Sequence, residues 1–384
     1  MAEQEMLECI RPVYVSRFQC DGAACGSRCC KDWIIDIDPV TYQRYSELEP
    51  ETERERILSW IERREGRTSF SVKMPEDFVC PFLDEDFLCS IQKRYGEGCL
   101  SNICRTYPRV SYRIGDRFEQ SLAMTCPVAA RQILLSDPPM KFERKRIPIP
   151  EQGTFFDWTE KRLPFRALWL EIQQAGLRLL QDRQYALDRR LLHLLYLFER
   201  LDHLRSEEAD TTFLCGWLEA APMELPLQCS KRDIEFQPEV HAARMAEVFD
   251  LLYDMAMGEE KKRDLRAAYM SNRRILPAIG EFHGTILENY MANEFFLRLY
   301  PYAYGESFLY SGKVFVTGCK AVEFALFLTA IARQGRLGVE EALSIIDRMA
   351  ERLDHSRDGM KAVRRAVKCM PLGVDAFAKG MLDV

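Results

Sequence analysis

From residue 158 onward, apolar residues return at every third or fourth position. Segments such as FRALWLEIQQAGLRLLQD, YALDRRLLHLLYLFERLDHL and VHAARMAEVFDLLYDMAMG carry this period, which is that of helices packed on one another. The pattern predicts an almost wholly helical region over residues 158–384. Residues 1–136 read differently, as short alternating stretches interrupted by turn residues, the pattern of a small α+β domain. Between them, DPPMKFERKRIPIPEQGTFFD at residues 137–157 is rich in proline and charge and has no helical period. It is expected to be a linker. The fold class is therefore mainly α, with a small α+β N-terminal domain followed by an all-helical region.

Local signals sharpen the first part. WIIDIDP reads as a brief strand ending at Asp38, a helix N-cap with Pro39 in the first turn. ETERERILSWIERR, residues 51–64, sets Ile57, Leu58 and Ile61 on one side of a charged helix, acidic residues leading and basic ones trailing. VCPFLDEDFLCSIQ reads as a tight loop or hairpin that holds Cys80 near Cys89. RVSYRIGDRFEQSLAM has Gly-Asp between alternating stretches and predicts a second hairpin. Cys104 precedes that hairpin and Cys126 follows it, so the two thiols are expected to be neighbours.

Composition adds exclusions. The chain has 384 residues, 47% hydrophobic and 29% charged, enough to bury a sizeable core and far from a disordered composition. A net charge of −6 advertises no basic surface for nucleic acid. The first residues lack the positive start and apolar stretch of a signal peptide. The most apolar run, FALFLTAIA, is shorter than the ~20 residues that span a bilayer. These features predict a cytoplasmic monomer that engages neither nucleic acid nor membrane.

A cytoplasmic setting decides how the 14 cysteines are read. Clustered thiols in a reducing compartment point to metal or catalysis rather than disulfides. CDGAACGSRCC holds Cys20, Cys25, Cys29 and Cys30; Cys80, Cys89, Cys99, Cys104 and Cys126 follow, and all five histidines come after residue 127. Any metal in the first domain would thus be held by thiolates, with Gly22 and Gly26 supplying the backbone freedom to wrap them round a centre. Zinc in a closed tetrahedral site and an iron–sulfur cluster both fit. Adjacent residues rarely face the same metal, so Cys29 and Cys30 are expected to serve different purposes. Cys9, Cys215, Cys229, Cys319 and Cys369 are isolated and are read as packing residues.

In order along the chain, CDGAACGSRCC, CPFLDEDFLCSIQ, CRTYPRV and SLAMTCP, with LENYMANEFFLRLYPY at residues 287–302, resemble the flagellin lysine N-methylase family, whose N-terminal part carries a CxxCxxCC-type iron- or zinc-chelating domain. The resemblance implies an enzyme that transfers methyl groups from S-adenosylmethionine to lysines of flagellin and requires a 4Fe-4S cluster. It carries a metal role onto Cys20, Cys25, Cys29, Cys30, Cys80, Cys89, Cys104 and Cys126, and leaves Cys99 outside the pattern. Eight thiols exceed the four irons of one cluster, so some would be structural or would hold a second metal.

The chemistry needs three further things: a methyl-donor site, a lysine site and a base. Neither a Gly-rich nucleotide turn nor a SET-type signature is present. By analogy with radical enzymes, a cluster held by three cysteines would leave one iron free for the donor's amino and carboxylate groups. The radical-enzyme spacing is absent, and polar transfer to a neutral amine is the expected reaction. Free lysine, with a pKa of about 10.4, must first lose its proton. On a helix, Tyr290 and Glu294 form one polar row and Asn289 and Asn293 another. The first pair are the candidate catalytic groups and the second candidate cofactor-binding residues, with Tyr302 and Tyr304 as an aromatic wall. A solvated helix face beside core aromatics is the competing reading, and His283 is read as structural. Arg105 and Arg109 are candidate clamps for the donor's carboxylate, the alternative being ion pairs with Asp84, Glu85 or Asp86. Two other functions remain open at this point: a non-catalytic zinc- or iron-chelating module, and an iron–sulfur redox protein.

Overall fold

The structure, a computed structural model, describes residues 5–384 except 32, 64–69, 138, 152, 162, 230–233, 254–257, 274, 306 and 355–357; the side chains of residues 23 and 275–283 are also left aside. It divides into two compact units. One comprises residues 1–132 and 141–160, the other residues 133–140 and 161–384.

The first unit is built on two sheets. Its strands and helices are β1 (Met6–Pro12), α1 (Val13–Arg17), β2 (Asp36–Ile37), α2 (Pro39–Ser46), α3 (Glu51–Ser59), β3 (Ile61–Arg63), β4 (Phe70–Val72), α4 (Ser90–Tyr95), α5 (Asn102–Thr106), β5 (Arg109–Ile114), β6 (Arg117–Leu122), α6 (Pro127–Leu134, its last two residues in the second unit), β7 (Phe142–Pro148) and β8 (Phe156–Asp157). The larger sheet has the order β7-β1-β6-β5-β8 and the smaller β2-β4-β3. The expected β5–β6 hairpin forms, with Ile114 opposite Arg117 across the Gly115-Asp116 turn. The cap at Asp38 also forms. Its carboxylate accepts from the Thr41 amide at 2.9 Å and the Thr41 hydroxyl at 2.7 Å, and Pro39 opens α2.

Two expectations change. The charged helix ends at Ser59 rather than running to residue 64, because Ile61 to Arg63 pair with β4 in the smaller sheet. The stretch expected as a linker, residues 137–157, contributes β7, which pairs with β1 over its whole length from Met6 opposite Pro148 to Pro12 opposite Phe142. Its sequence, FERKRIP, is that of an edge strand. Charge along an outer strand discourages further pairing and hides the strand from a hydrophobic pattern search.

The second unit contains α7 (Trp169–Leu180), α8 (Leu187–Ser206), α9 (Thr211–Cys229), α10 (Pro238–Tyr253), α11 (Glu259–Asn272), α12 (Ile275–Leu297), α13 (Phe308–Ala332), α14 (Val339–Asp354), α15 (Gly359–Lys368) and α16 (Val374–Ala378). Its helical character is as expected. By length and composition α13 is apolar enough to cross a membrane, with a mean hydropathy of 1.8 in its most apolar window, but 78% of that window is buried inside the protein. It is the central helix, packed by α8, α12, α14 and α15. Its Lys320 bonds both carboxylate oxygens of Asp188 at 2.9 and 3.0 Å, which is how a buried ammonium is kept satisfied. Trp169 stacks on Tyr302 with 4.1 Å between ring centres, so the expected aromatic wall is core packing at this residue.

Candidate functional site

The interior of the small sheet is where the thiols meet. Ile35, Ile37, Tyr45, Ile57, Ile61, Val72, Phe82 and Ile91 form an apolar cluster that includes Cys80, and Cys30, Cys89, Cys99 and Cys104 pack against it. Within it lies a cavity of about 80 Å³ lined by Cys29, Cys30, Cys80, Cys89 and Cys104 together with Trp33 and Tyr107.

A turn, a loop and a short helix deliver the thiols. Cys29 and Cys30 sit in a 3-10 turn entered through Gly26 and Ser27, both left-handed at φ 69° and 55°; Gly22, φ 65°, opens the turn before it. The need for glycine at Gly22 and Gly26 was thus legible in the sequence. The Trp33 indole donates to the Cys29 carbonyl at 2.9 Å and pins the turn. The Cys80 amide donates to the Cys30 carbonyl at 2.8 Å, and Lys31 pairs with Val79 as an isolated bridge. The segment from Cys80 to Cys89 closes as a tight loop, as expected: Asp84 N donates to Leu88 O at 2.9 Å and Ser90 N to Phe82 O at 2.7 Å. Cys104 lies in α5, capped by Ser101.

Burial sets the protonation of these sulfurs. It pushes the Cys80 and Cys104 thiols up to about 12 and raises Cys89 as well. The Cys29 and Cys30 sulfurs are 3.8 Å apart. Hydrogen bonding from Cys30 lowers Cys29 to about 7 and raises Cys30 in turn. The thiols raised by burial, Cys80, Cys89 and Cys104, stay protonated until a metal's charge draws the protons off.

The remaining predicted ligands form a second set. Cys20 accepts from the Gly22 amide and Cys25 donates to the Gly22 carbonyl, both at 3.4 Å. Cys126, raised to about 11 by burial, feels the charges of Cys25 and Cys20, whereas Cys104 feels those of Cys80, Cys89 and Cys29. The hairpin does return the chain, Ala123 N donating to Pro108 O at 2.8 Å. Of the two thiols that flank it, Cys104 lines the cavity and Cys126 does not. Cys29 and Cys30, expected to serve two centres or to act as one ligand and one buried support, line the same cavity. Among the described residues, no three His, Cys, Asp or Glu side chains are gathered tightly enough to hold a single metal ion. The five sulfurs surround a cavity, not a point.

The candidate clamps part company. Arg105 bonds Glu151 at 2.6 Å and Asn102 at 2.9 Å, while the acids expected as its partners, Asp84 and Asp86, bind Lys93 at 2.6 and 3.2 Å. Arg109 donates to the Phe18 carbonyl at 3.3 Å and lies over the Phe18 ring at 5.1 Å. It has no carboxylate partner among the described residues, and burial lowers its pKa.

On α12 the polar rows are buried rather than solvated: Asn289, Tyr290, Asn293 and Glu294 are all enclosed. Asn289 donates to the carbonyls of Leu134 and Ser136 at 3.2 and 2.8 Å. Glu294 pairs with Arg298 at 2.5 Å, and its other oxygen, Oε1, has no hydrogen-bond partner among the described residues. Burial drives the Tyr290 phenol well above its usual range, with the Glu294 charge adding to it. His283 lies outside the described residues.

A family description, FliB lysine N-methylase C-terminal domain, matches residues 173–372. That is about half the chain, and the chain belongs to this family. The matched part is helical, and all eight predicted metal cysteines precede it. The chain is 34% identical over 139 residues to a lysine-N-methylase of Salmonella typhimurium, a stretch covering 35% of each protein. It is 35% identical over 130 residues to the flagellar biosynthetic protein FliU of Salmonella muenchen, covering 33% of this chain and 76% of that protein. The chain thus spans about a third of the length of the Salmonella lysine-N-methylase it matches. No solved structure matches.

Proposed function

We propose that this chain is a cytoplasmic S-adenosylmethionine-dependent methyltransferase that N-methylates lysines of flagellin and works with a 4Fe-4S cluster. The observation that carries the reading is the convergence of five thiols on one apolar cavity in a chain whose helical part belongs to the lysine N-methylase family. The donor set fits the cluster. Thiolates are its ligands, and sulfurs spread round a cavity suit a polynuclear centre. Around one zinc ion at about 2.3 Å, tetrahedral geometry would draw all four sulfurs to within about 3.8 Å of one another. Three of these cavity thiols, Cys29, Cys80 and Cys104, would hold it and leave one iron without a cysteine. When bound, the cluster would supply an iron able to take the donor's amino and carboxylate groups.

The protein's own groups do the rest. Arg109, without a carboxylate of its own, is suited to that of the methyl donor; Arg105 is already committed to Glu151. The lysine ammonium gives up its proton to solvent water before its nitrogen lone pair attacks the sulfonium methyl; the carbon–sulfur bond breaks, its electron pair returns to sulfur as a neutral thioether, and the positive charge passes to the methylated amine. Tyr290 and Glu294 are enclosed, and we give them the task of holding α12 through Arg298 rather than that of the base. Anaerobically purified protein, assayed for iron and sulfide and incubated with labelled methyl donor and flagellin, tests the reading. Label on flagellin lysines together with cluster iron supports it. Zinc without sulfide, or an intact cluster with no label transfer, defeats it.

A further inference from the structure

The second unit contains a cavity of about 400 Å³ between α8 and α9 that none of the preceding chemistry uses. Helical spacing puts Tyr196, Glu199 and His203 on one face of α8, and Trp217, Leu225 and Cys229 on the facing side of α9; these residues line the cavity. It runs beside a proline-bearing stretch. Pro222 and Pro226 lie inside α9 and remove amide donors from the helix ladder. The Leu218 carbonyl, four residues before Pro222, is taken instead by the Arg178 guanidinium at 3.1 Å.

The lining has the chemistry of a cation site with an apolar stem. Trp217 and Tyr196 offer aromatic rings, whose faces attract ammonium groups. The Tyr196 hydroxyl is bonded to Asp375, which fixes the ring. Glu199 is half-buried, and its carboxylate makes no ion pair or hydrogen bond among the described residues. Lys313, which feels its charge, donates instead to the carbonyls of Pro371 and Leu372. Arg200, which lines the cavity, faces Glu207 at 3.7 Å. Buried Leu225 and Cys229 supply the apolar wall that four methylenes need.

We propose that this cavity receives a lysine side chain of the protein substrate, its ammonium held by Glu199 against Trp217 and Tyr196. The inference rests on the methylase reading and names the substrate pocket within it. The test is calorimetric titration of the full chain, without methyl donor, using Nα-acetyl-lysine methylamide, its norleucine counterpart and the aspartate counterpart. The lysine compound is expected to bind at least about tenfold more tightly than norleucine, and Glu199→Gln to weaken it by about tenfold. Trp217→Phe, which keeps an aromatic face, should retain most of the affinity. The proposal is overturned by equal binding of norleucine, by tighter binding of aspartate, by no effect of Glu199→Gln with circular dichroism unchanged, or by no binding to the wild-type chain. Because binding is read without the donor, lost binding with flagellin methylation intact removes only the pocket. Retained binding with no methylation removes only the methylase reading.

Discussion

The Cys80 amide donates to the Cys30 carbonyl at 2.8 Å, and through this bond the first cysteine cluster is tied to a loop far along the chain. The turn holding Cys29 and Cys30 therefore cannot move independently of Cys80, and the cavity is assembled by backbone bonding before any metal is considered. Such preorganisation allows thiols from separate segments to act as one donor set.

If the cluster ligands come from the cavity thiols, replacing a ligand must act on metal content and colour, while replacing a thiol outside the cavity must not. Cys80→Ser and Cys104→Ser are expected to lose most of the iron and the visible absorbance of the anaerobic protein, and Cys29→Ser likewise. Cys126→Ser, whose sulfur belongs to the other set, and exposed Cys369→Ser should keep both. Iron per chain and the absorption spectrum of each variant decide it; a Cys126→Ser protein stripped of iron would show that the two sets act together.

The Asp38 carboxylate couples two parts of the first unit and should make its stability depend on acid. Burial opposes its charge, but hydrogen bonds from Asn102 N at 3.0 Å and from the Thr41 amide and hydroxyl prevail, holding the carboxyl below its usual range. A carboxyl depressed in the folded state stabilises fully above its unfolded value of about 3.9, and the stabilisation is lost as pH falls through the lower folded value. Asp38→Ala should cost about 1 kcal/mol at pH 7. In urea titrations, the gap between wild type and Asp38→Asn is expected to be constant from pH 7 to 5 and to shrink below pH 4. A gap that stays constant to pH 2 would show that the cap carries no net charge effect.

Arg190 and Glu288 form the most enclosed ion pair between helices of the second unit, at 2.6 Å with side-chain exposures of 10% and 3%. Arg190 also bonds the carbonyls of Tyr185 at 2.7 Å and Leu180 at 3.2 Å. Removing Arg190 leaves the buried Glu288 carboxylate with only the more exposed Arg183, at 3.1 Å, so Arg190→Ala should cost about 2 kcal/mol. Replacing both, Arg190→Met with Glu288→Leu, should cost less than Arg190→Ala alone, because no buried charge is stranded. Equilibrium unfolding of the three proteins checks the order.

Much of this architecture was legible because local rules agreed with the fold. The Asp38 cap, the Gly115-Asp116 hairpin, the Cys80–Cys89 loop and the helical period after residue 158 are all set by residues near in sequence. Edge strand β7 was missed because its charged residues serve to repel pairing partners, the opposite of the apolar alternation sought. The overlong helix at residues 51–64 has a similar origin: Ile61 fits a helical stripe equally well, and only pairing with β4 makes it a strand. The partition of the cysteines depends on which sulfurs share a cavity, a property of tertiary packing that spacing does not encode. Nor does helical periodicity report the gap between α8 and α9, since it marks which faces are apolar but not how closely they meet.

That limit is sharpest at Gly176, where the period marks a buried position and the structure shows why only hydrogen fits. A Cβ built there would lie 2.5 Å from Phe295 Cζ, 3.0 Å from Cε1 and 3.3 Å from Leu194 Cδ1. Phe295 is itself fully buried and stacked between Phe198 and Tyr300, with ring centres at 6.2 and 6.1 Å, so the ring has no free side to move toward. In an exposed helix, Gly→Ala would stabilise by roughly 0.5–1 kcal/mol. Here overpacking should outweigh that gain, and Gly176→Ala is expected to destabilise by about 1–3 kcal/mol. Pairing it with Phe295→Leu, which vacates the ring's space, should recover part of the loss relative to the sum of the two single changes. Thermal and urea unfolding of the three variants measure this coupling. Strict additivity would mean that α7 shifts away from α12 as a body and that the close approach is not a constraint of the core.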